Sequence, residues 1–483
     1  MRTSCPSAAL VAALMLTPAP AQDGPTAAKL AKLVPNLMER AGVPGVEIAL
    51  IEDGKIAWTG SFGIKNTKTG DKVDDRTVFQ AASLSKPVFA YAVLKLAEEG
   101  KLDLDTPLSK YLPAYVENDD RASLITARHV LTHRTGFPNW RPRGKPLAVH
   151  FTPGERFSYS GEGFVYLQRA VERITGQPLD AFMRQTVFVP LRMTGSSYLW
   201  QDQYETLAAS GHSEAGTPDK FFKPIEGASP VNGGGGPAAA STLLTTAQDY
   251  ARFVVAVMSG TGLKKETARQ MLSPQSPVDA GCSNCIGRPI GPTSEAIAWG
   301  LGWGLEKTTR GRSFWHWGDN GDFKAFVAAS VDAGRGVVVF TNSAAGMMII
   351  QDIAATAMGE PQPAFDWVHY ERFDSPRPQL YRAILDKGID EALKPYQAGP
   401  PIDEGPMNSL GYQLLAAKKF REAIRIFELN TAAYPKSSNV WDSLAEGYMI
   451  GGKELAIAYY RKFLELDPGN ANAADMLKKL EGK

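Results

Sequence analysis

Cysteine, histidine and an excess of charge of either sign are scarce in this sequence of 483 residues. It contains three cysteines and six histidines, and its 52 lysines and arginines face 51 aspartates and glutamates, so the formal net charge is +1. A chain without a basic excess has no long-range attraction for nucleic acid or for anionic membranes. We therefore predict no nucleic-acid partner.

Long apolar runs are also missing. No segment approaches the roughly 18 apolar residues that a transmembrane helix needs, so we predict no transmembrane segment. Residues 1–21 are typical of a secretory signal, because Arg2 precedes a short apolar stretch at 8–16 and small residues follow at 19–21. We expect cleavage before Gln22 and a secreted, periplasmic protein. An uncleaved hydrophobic N-terminus is the alternative.

Export leaves two cysteines, since Cys5 precedes the apolar stretch and is removed with the signal. Cys282 and Cys285 lie three residues apart in a Gly/Pro-rich stretch, which in an oxidising compartment favours a disulfide. A redox-active pair would need a strand-to-helix setting, and zinc would need two further ligands. We predict neither a metal nor a cofactor.

The distribution of apolar residues predicts an α+β domain. Two apolar runs flank a turn at 52–54, which is a β-hairpin pattern, and strand-like runs return at 313–318, 323–331 and 336–343. A mainly helical middle, from about 77 to 258, separates them. Strands from both ends of the domain are expected to form one sheet, with the helical insert beside it and a cleft between.

The C-terminal part has a different composition. Residues 361–403 are Pro-rich and predict a linker or bridging segment with one short helical piece. Residues 404–483 contain an internal repeat with a period of 33, in which Ala423, Phe427 and Pro435 match Ala456, Tyr460 and Pro468. This pattern resembles the tetratricopeptide repeat, with a capping helix from Ala471. Two unrelated amphipathic helices are the alternative.

The stretch FQAASLSKPVFAYAVLKL (79–96) contains the first candidate site. Proline is tolerated in the first turn of a helix, so Pro87 predicts that a helix begins close to Ser83. Lys86 then lies one turn from Ser83 on the same face, whereas Ser85 points elsewhere. A lysine whose pKa is lowered by burial can activate a serine hydroxyl. The alternative is a helix-capping serine beside a solvated lysine.

Two further stretches complete a pattern. FTPGERFSYSG (151–161) ends in Tyr-Ser-Gly, and FWHWGDNGDF (314–323) contains His-Trp-Gly. In order and spacing, the three stretches resemble the penicillin-recognising serine hydrolases, which include cephalosporinase-type β-lactamases, D-Ala-D-Ala carboxypeptidases and related esterases. The stretches at 127–137 and 241–253 are similar to that family as well, and the resemblance covers about residues 25–358.

This resemblance implies roles for individual residues. Ser83 would be the acylated nucleophile, Lys86 its base partner, and Tyr159 a general acid/base that relays a proton to the leaving group. His316 stands where many members carry lysine, and histidine there is commoner in the esterase and peptidase branches. The backbone amides of Ser83 and Asp319 would form the oxyanion hole.

Two glycines are expected to contact substrate. Gly318 fits a strand that must let the substrate backbone approach closely. Gly161 departs from the family pattern, which has asparagine at this position to bind the substrate's amide. Asn139 and Asn232 are candidates to replace that contact. The loss of asparagine favours esters over acylamido substrates.

Other patterns favour structural roles. His129 and His133 have helical metal-ligand spacing, but no third ligand suggests itself. The glycine run 233–236 lacks the context of a phosphate loop and predicts a cleft-side loop. Trp317 lies on the opposite face of its strand from His316, which favours a core position.

The sequence therefore predicts a signal (1–21), a hydrolase domain (22–360), a linker or bridging segment (361–403) and a repeat module (404–483). We expect a serine acyl-hydrolase that acts as an esterase or as a peptidase/amidase on small acyl substrates. A β-lactamase or D-Ala-D-Ala carboxypeptidase is one alternative. A catalytically weak scaffold that binds a protein partner through residues 404–483 is the other.

Overall fold

The computed structural model describes residues 24–482 except 114, 117–118, 220, 232–233, 397–401 and 450–452. The predicted signal (1–21), Asn232 and Gly233 therefore lie outside the described residues. No helix in the described part of the chain is long and apolar enough to cross a membrane.

Among the described residues, nine strands form one antiparallel sheet, in the order β3-β2-β1-β11-β10-β9-β8-β7-β6, and two short strands, β4 and β5, pair separately. The strands are β1 (Gly45–Glu52), β2 (Lys55–Asn66), β3 (Asp71–Lys72), β4 (Phe79–Gln80), β5 (Leu244–Thr245), β6 (Ser276–Asp279), β7 (Thr293–Trp299), β8 (Gly304–Thr308), β9 (Gly311–Asp319), β10 (Lys324–Ser330) and β11 (Arg335–Thr341).

The sheet joins the two ends of the hydrolase domain, as the sequence predicts. The β1–β2 hairpin turns at Asp53 and Gly54, whose φ angles of 52° and 69° match the left-handed conformation that tight hairpins require. Strand β1 also pairs with β11, with Val46 opposite Thr341. Strands β6 to β8 were not predicted, because β6 is only four residues long and β7 is partly exposed, which weakens the apolar alternation.

Helices cover both faces of the sheet. The helices of the hydrolase part are α1 (Pro25–Ala41), α2 (Ser85–Glu98), α3 (Ala127–Leu131), α4 (Gly161–Thr175), α5 (Leu179–Met183), α6 (Tyr204–Leu207), α7 (Ala247–Ser259), α8 (Lys265–Met271) and α9 (Met347–Met358). One hydrophobic core joins the sheet to α2, α4 and α7, and a second joins its other face to α1 and α9. Helices α2 and α4 of the lobe between β4 and β5 belong to the first core, while Phe157 and Tyr159 of the same lobe belong to the second.

The segment predicted as a linker or bridging segment is folded onto the hydrolase. It contains α10 (Ala364–Val368), α11 (Pro376–Lys387) and α12 (Ile389–Leu393), so the prediction of one short helix is wrong. The ring centroids of Phe365 and Phe326 lie 4.3 Å apart, which places α10 against the sheet. Proline at the N-terminus of α11 begins the helix instead of preventing it.

Helices are the only regular secondary structure among the described residues of the C-terminal part. Its helices are α13 (Glu404–Ala416), α14 (Phe420–Ala433), α15 (Ser438–Met449), α16 (Lys453–Leu466) and α17 (Ala471–Glu481). Successive helices pack against each other. Gly411 allows α13 to approach α14 closely, since a Cβ there would lie 2.2 Å from the Phe427 ring. Helices α11 and α12 share the core of this module.

Candidate active site

Ser83 lies in a tight turn between β4 and α2. A 3-10 turn, Ala82–Leu84, directly precedes α2, and Ala82 has a φ of 49°, which is unfavourable for a residue with a Cβ. Pro87 is the third residue of α2, inside its first turn as the sequence predicts. The strained Ala82 conformation directs the chain so that Ser83 remains half-buried at the mouth of the helix.

Lys86 is buried next to Ser83. Its Nζ lies 3.0 Å from Ser83 Oγ and 2.8 Å from the carbonyl oxygen of Ala240. Burial lowers the pKa of Lys86 to about 7, because the charged form loses its hydration. Ser85 turns away, and its hydroxyl donates to the Ala82 carbonyl. The solvated-lysine alternative is therefore wrong, and the geometry suits a base–nucleophile pair.

Tyr159 lies over the same amino group. Lys86 Nζ is 4.8 Å from the centre of the Tyr159 ring. The Tyr159 hydroxyl is buried and has no hydrogen-bond partner among the described residues. Burial raises the pKa of Tyr159 above its usual range, and the Ser83 side chain lowers that pKa by a smaller amount. The hydroxyl is therefore protonated at neutral pH and available to a ligand.

The backbone around Tyr159 is held on two sides. Its N–H donates to the Ser283 carbonyl at 2.9 Å, and the next N–H, of Ser160, donates to Nδ1 of His133 at 3.0 Å. The Ser160 hydroxyl accepts from Gly163 N at the start of α4. The catalytic candidate is therefore fixed by the beginning of a helix and by two neighbouring loops.

His133 is the residue of this site that sequence reasoning missed. Its ring stacks on Tyr159 with centroids 4.2 Å apart, and burial lowers its pKa well below the usual value. Because Nδ1 accepts a backbone hydrogen bond, the neutral ring carries its proton on Nε2. The sequence signal for His133 is its place in the stretch 127–137, which is similar to the family.

The metal pattern has another explanation. His129 belongs to the capping box of α3, and His133 holds the Tyr159 segment, so neither ring is arranged with the other for a metal. One group of three potential ligands occurs within the described ranges, namely Asp279, Cys282 and Cys285. Its two sulfur atoms form a disulfide, as predicted.

His316 is buried on β9 and faces the same site. Its Nδ1 lies 2.8 Å from the Trp317 carbonyl and donates to it, which leaves Nε2 as an acceptor without a partner in the described part of the chain. Burial and then the nearby Lys86 charge lower the pKa of His316 to about 3. Unlike a lysine at this position, His316 is therefore neutral at physiological pH. Trp317 belongs to a hydrophobic core, as predicted.

Asp319 ends β9 beside the nucleophile turn. The N–H groups of successive residues in a strand point to opposite sides. The N–H of Asn320 points toward the β10 side, where it donates to the Phe323 carbonyl, so the N–H of Asp319 points away from β10. The pairing of β9 with β8 stops at Trp315, opposite Gly304, so this N–H points to an open edge. This orientation suits the predicted oxyanion donor.

Gly318 brings β9 against the nucleophile turn. A Cβ at this residue would lie 2.4 Å from the Ala81 carbonyl oxygen. Glycine is therefore required for contact with the protein's own backbone. Its contact with substrate stays a prediction.

Gly161 is the first residue of α4, and the space for a side chain there is filled. A Cβ at Gly161 would lie 2.8 Å from the Trp140 ring. The Asn139 carboxamide oxygen accepts the Gly161 N–H at 3.0 Å, so Asn139 serves the backbone. The position of the usual asparagine is thus occupied by an aromatic ring.

A cavity of about 480 Å³ lies beside these residues. Its lining includes Gln80, Trp140, Arg143, Ser241 and Asn320, together with residues 234–236 of the predicted cleft-side loop. Ser241 follows the residue that accepts the Lys86 hydrogen bond, and Asn320 follows Asp319. A larger cavity of about 750 Å³ lies between α7–α8 and β7–β8. The linings of both cavities lack the side chains of Ser83, Lys86, Tyr159 and His316, but only the smaller one is lined by chain neighbours of the site.

Comparison with known proteins agrees with this arrangement. The family model described as Beta-lactamase matches residues 30–356. The chain therefore belongs to the β-lactamase family and is a serine hydrolase of that family. Its α+β architecture, with the nine-stranded antiparallel sheet, is the β-lactamase/transpeptidase fold.

Three similar proteins illustrate the relationship. Protein flp of Staphylococcus aureus (strain N315) is 23% identical over 329 residues, which cover 64% of this chain and 62% of that protein. The chain thus spans about three fifths of the length of that relative. Esterase EstB of Burkholderia gladioli is 26% identical over 329 residues, covering 57% of this chain and 79% of that protein. The structure of D-alanine carboxypeptidase AmpC from Burkholderia cenocepacia superimposes with a TM-score of 0.57 at 20% identity, covering 69% and 98% of the two chains.

Proposed function

We propose that this protein is an esterase, or a peptidase/amidase of small acyl substrates, that works through an acyl-enzyme on Ser83. The observation that carries the proposal is the 3.0 Å contact between Ser83 Oγ and the buried amino group of Lys86. A pKa of about 7 leaves a substantial neutral fraction of Lys86 at neutral pH. The neutral amine donates to Ala240 O and accepts the Ser83 hydroxyl proton.

Acylation follows from this geometry. Ser83 Oγ attacks the carbonyl carbon while its proton passes to Lys86 Nζ, and the amides of Ser83 and Asp319 stabilise the negative oxygen. The protonated Tyr159 hydroxyl gives its proton to the leaving alkoxide or amine and regains one from Lys86. Water then attacks the acyl-enzyme, and its proton returns by the same groups to Ser83 Oγ.

The neutral His316 adds an acceptor to this site. Its Nε2, which has no partner among the described residues, can accept a hydrogen bond from the Tyr159 hydroxyl or from a substrate donor. It supplies no positive charge for a substrate carboxylate, unlike the lysine of many family members. This favours esters over anionic β-lactams.

The Gly161 position favours esters for a second reason. The contact that asparagine makes with a substrate amide is replaced by the Trp140 ring. A site with a hydrogen-bonding group for a substrate amide selects against substrates that lack the amide, whereas an apolar wall does not. The similarity to an esterase from Burkholderia gladioli supports the same choice. A β-lactamase or D-Ala-D-Ala carboxypeptidase remains the alternative within the family.

The remaining proposals concern the rest of the chain. We propose that residues 1–21 direct export to the periplasm and that the cysteines are oxidised there. We also propose that α13–α17 are tetratricopeptide-like repeats, because each pairs with the next and the matched residues Ala423 and Ala456 are both buried. A protein partner would then bind this module. A scaffold without catalysis is disfavoured by the assembled Ser83–Lys86–Tyr159 group.

The test is intact-protein mass after incubation with a fluorophosphonate and, separately, with a penicillin. We expect one fluorophosphonate adduct on the wild-type protein and none on Ser83→Ala. A lasting penicillin adduct, or rapid loss of the drug, would instead favour the carboxypeptidase or β-lactamase alternative. An unlabelled wild-type protein that also leaves penicillin intact would contradict the enzyme proposal.

A further inference from the structure

The segment after α9 reaches the candidate active site from outside the family-like region. The family match ends at residue 356, whereas Tyr370 lies just beyond α10. The Tyr370 hydroxyl donates to Asp319 Oδ2 at 2.7 Å. Asp319 is the residue whose backbone amide is proposed to stabilise the oxyanion.

The Asp319 carboxylate is held by three donors. Oδ1 accepts from Lys324 Nζ at 2.5 Å and from Gly321 N at 2.9 Å. Tyr370 is the only one of the three that donates to Oδ2; of the other two, Gly321 lies in the β9–β10 turn and Lys324 is the first residue of β10. The Asp319 side chain is therefore fixed partly by a residue from another part of the chain.

Tyr370 is itself anchored. Its carbonyl oxygen accepts from Gln351 Nε2 of α9 at 2.9 Å. On α10, Trp367 Nε1 donates to the Asp279 carbonyl at 2.8 Å, and the Trp367 ring lies 6.2 Å from that of Trp317. Burial and then the Asp319 charge raise the pKa of Tyr370, so its hydroxyl stays a donor across the working pH range. A well-anchored donor can restrict the peptide to which its acceptor belongs.

We propose that Tyr370 is a positioning residue for the oxyanion hole: its hydrogen bond to the Asp319 carboxylate holds the Asp319 N–H at the open edge of β9. In the described structure the Tyr370 hydroxyl gives its hydrogen bond to Asp319, while the nearby Tyr159 has a lesser raising effect on the Tyr370 pKa. The inference rests on the proposed function, because it assumes that the Asp319 amide serves an acyl transfer. It assigns a catalytic contribution to a segment that the sequence predicts as a linker or bridging segment.

The test compares Tyr370→Phe with Tyr396→Phe. Both changes remove one hydroxyl from the same C-terminal segment, but Tyr396 donates to the Pro376 carbonyl, away from the site. For a p-nitrophenyl ester we expect kcat of Tyr370→Phe to fall about tenfold with KM within about twofold, since loss of a whole oxyanion donor costs 10²–10³. Tyr396→Phe should remain within about twofold of wild type in both constants.

A second measurement separates positioning from general damage. A boronic acid that mimics the tetrahedral intermediate should bind Tyr370→Phe more weakly by about the same factor as the fall in kcat. Asp319→Asn combined with Tyr370→Phe should be no worse than the more damaging single change, because both act on one contact. This double-mutant cycle remains informative if Tyr370→Phe also lowers the stability of the protein.

The outcomes distinguish this inference from the proposed function. An active, labelled wild type whose Tyr370→Phe form matches Tyr396→Phe overturns the positioning role and leaves the esterase proposal standing. Independent, additive losses in the double variant also overturn it. A wild type that hydrolyses no ester and takes no label overturns both.

Discussion

At the scale of single residues, the burial of Lys86 has the largest chemical effect. The amino group lies under the Tyr159 ring. Its hydrogen bonds within the described residues are to Ser83 Oγ and to the Ala240 carbonyl oxygen. Desolvation lowers its pKa to about 7, against an ordinary value near 10.5. The same lysine on the surface would be protonated and unable to act as a base at neutral pH.

This environment predicts the pH dependence of acylation. Deprotonation makes Lys86 a base, so kcat/KM for an ester should rise as pH increases and level off above about 7. His316 has a pKa of about 3, so the inflection should keep its position in His316→Gln even if activity falls. Stopped-flow hydrolysis between pH 5 and 10 measures both profiles. An inflection near 10 would contradict the lowered pKa of Lys86, because that value is close to the ordinary one for lysine.

The Trp140–Gly161 contact predicts a change of substrate preference. Gly161→Asn alone should lower activity, because its Cβ meets the Trp140 ring at 2.8 Å. Gly161→Asn with Trp140→Ala removes the nearest obstruction and leaves the Asn139 carbonyl oxygen 3.0 Å from the new Cβ. We expect this double variant to raise the ratio of amide to ester kcat/KM roughly tenfold, the value of one good hydrogen bond.

The control for this change is Trp140→Ala by itself. That variant enlarges the site without adding an amide-binding group, so the ratio should stay within about twofold of wild type. Equal ratios in the double variant and in the control would contradict the proposed basis of ester preference.

At the scale of elements, the disulfide loop controls the placement of Tyr159. The four residues closed by Cys282 and Cys285 include Ser283, whose carbonyl accepts the Tyr159 N–H. The Cys285 N–H in turn donates to the Ser158 hydroxyl at 3.1 Å. The disulfide-closed loop thus forms hydrogen bonds with the segment that carries Tyr159.

Removal of the disulfide should therefore affect both stability and catalysis. Cys282→Ser with Cys285→Ser should lower the free energy of unfolding by about 2 kcal/mol, the chain-entropy value for so short a loop. It should lower kcat roughly fivefold, since small displacements of catalytic groups are costly. Urea unfolding and ester hydrolysis measure these effects. Dithiothreitol should reproduce them in the wild type and leave the double variant unchanged; unchanged kcat in both cases would contradict a positioning role of the loop.

The elements also show where sequence reasoning succeeds. The β1–β2 hairpin, strands β9 to β11 and the start of α2 near Ser83 follow local rules of turn residues, alternation and proline placement. Strands β6 to β8 and helices α10 to α12 do not follow them, because they are stabilised by neighbours distant in the chain. Trp367, for example, owes its buried position to Trp299, Trp315 and Trp317.

At the scale of the whole molecule, Arg377 joins the hydrolase to the C-terminal helices. This buried side chain of α11 pairs with Glu371 and Glu214 and donates to the Gln413 carboxamide of α13. Burial raises the pKa of Glu214, and the Arg377 charge acts in the opposite direction. Arg377 thus provides a polar contact shared by both parts, beside the apolar contact of Ala215 with the core of the helical module.

Arg377→Met should separate the two parts. It leaves Glu214 buried without its cation, which costs about 3 kcal/mol or more. We expect faster amide hydrogen exchange across α13 and α14, with ester hydrolysis reduced much less. The control is Arg421→Met, which removes an exposed pair with Asp390 and should change exchange little. Unchanged exchange in Arg377→Met would show that apolar contacts alone hold the module.

The sequence by itself determined the α+β class, the hairpin, the Ser83–Lys86 spacing and the family, because these depend on local patterns and on the order of short motifs. Only the tertiary structure decided the burial that lowers the Lys86 pKa, the neutral state of His316, the role of His133 and the approach of Tyr370 to Asp319. Each of these depends on groups separated by tens or hundreds of residues. Desolvation and long-range hydrogen bonds arise when the chain folds, and no local pattern encodes them.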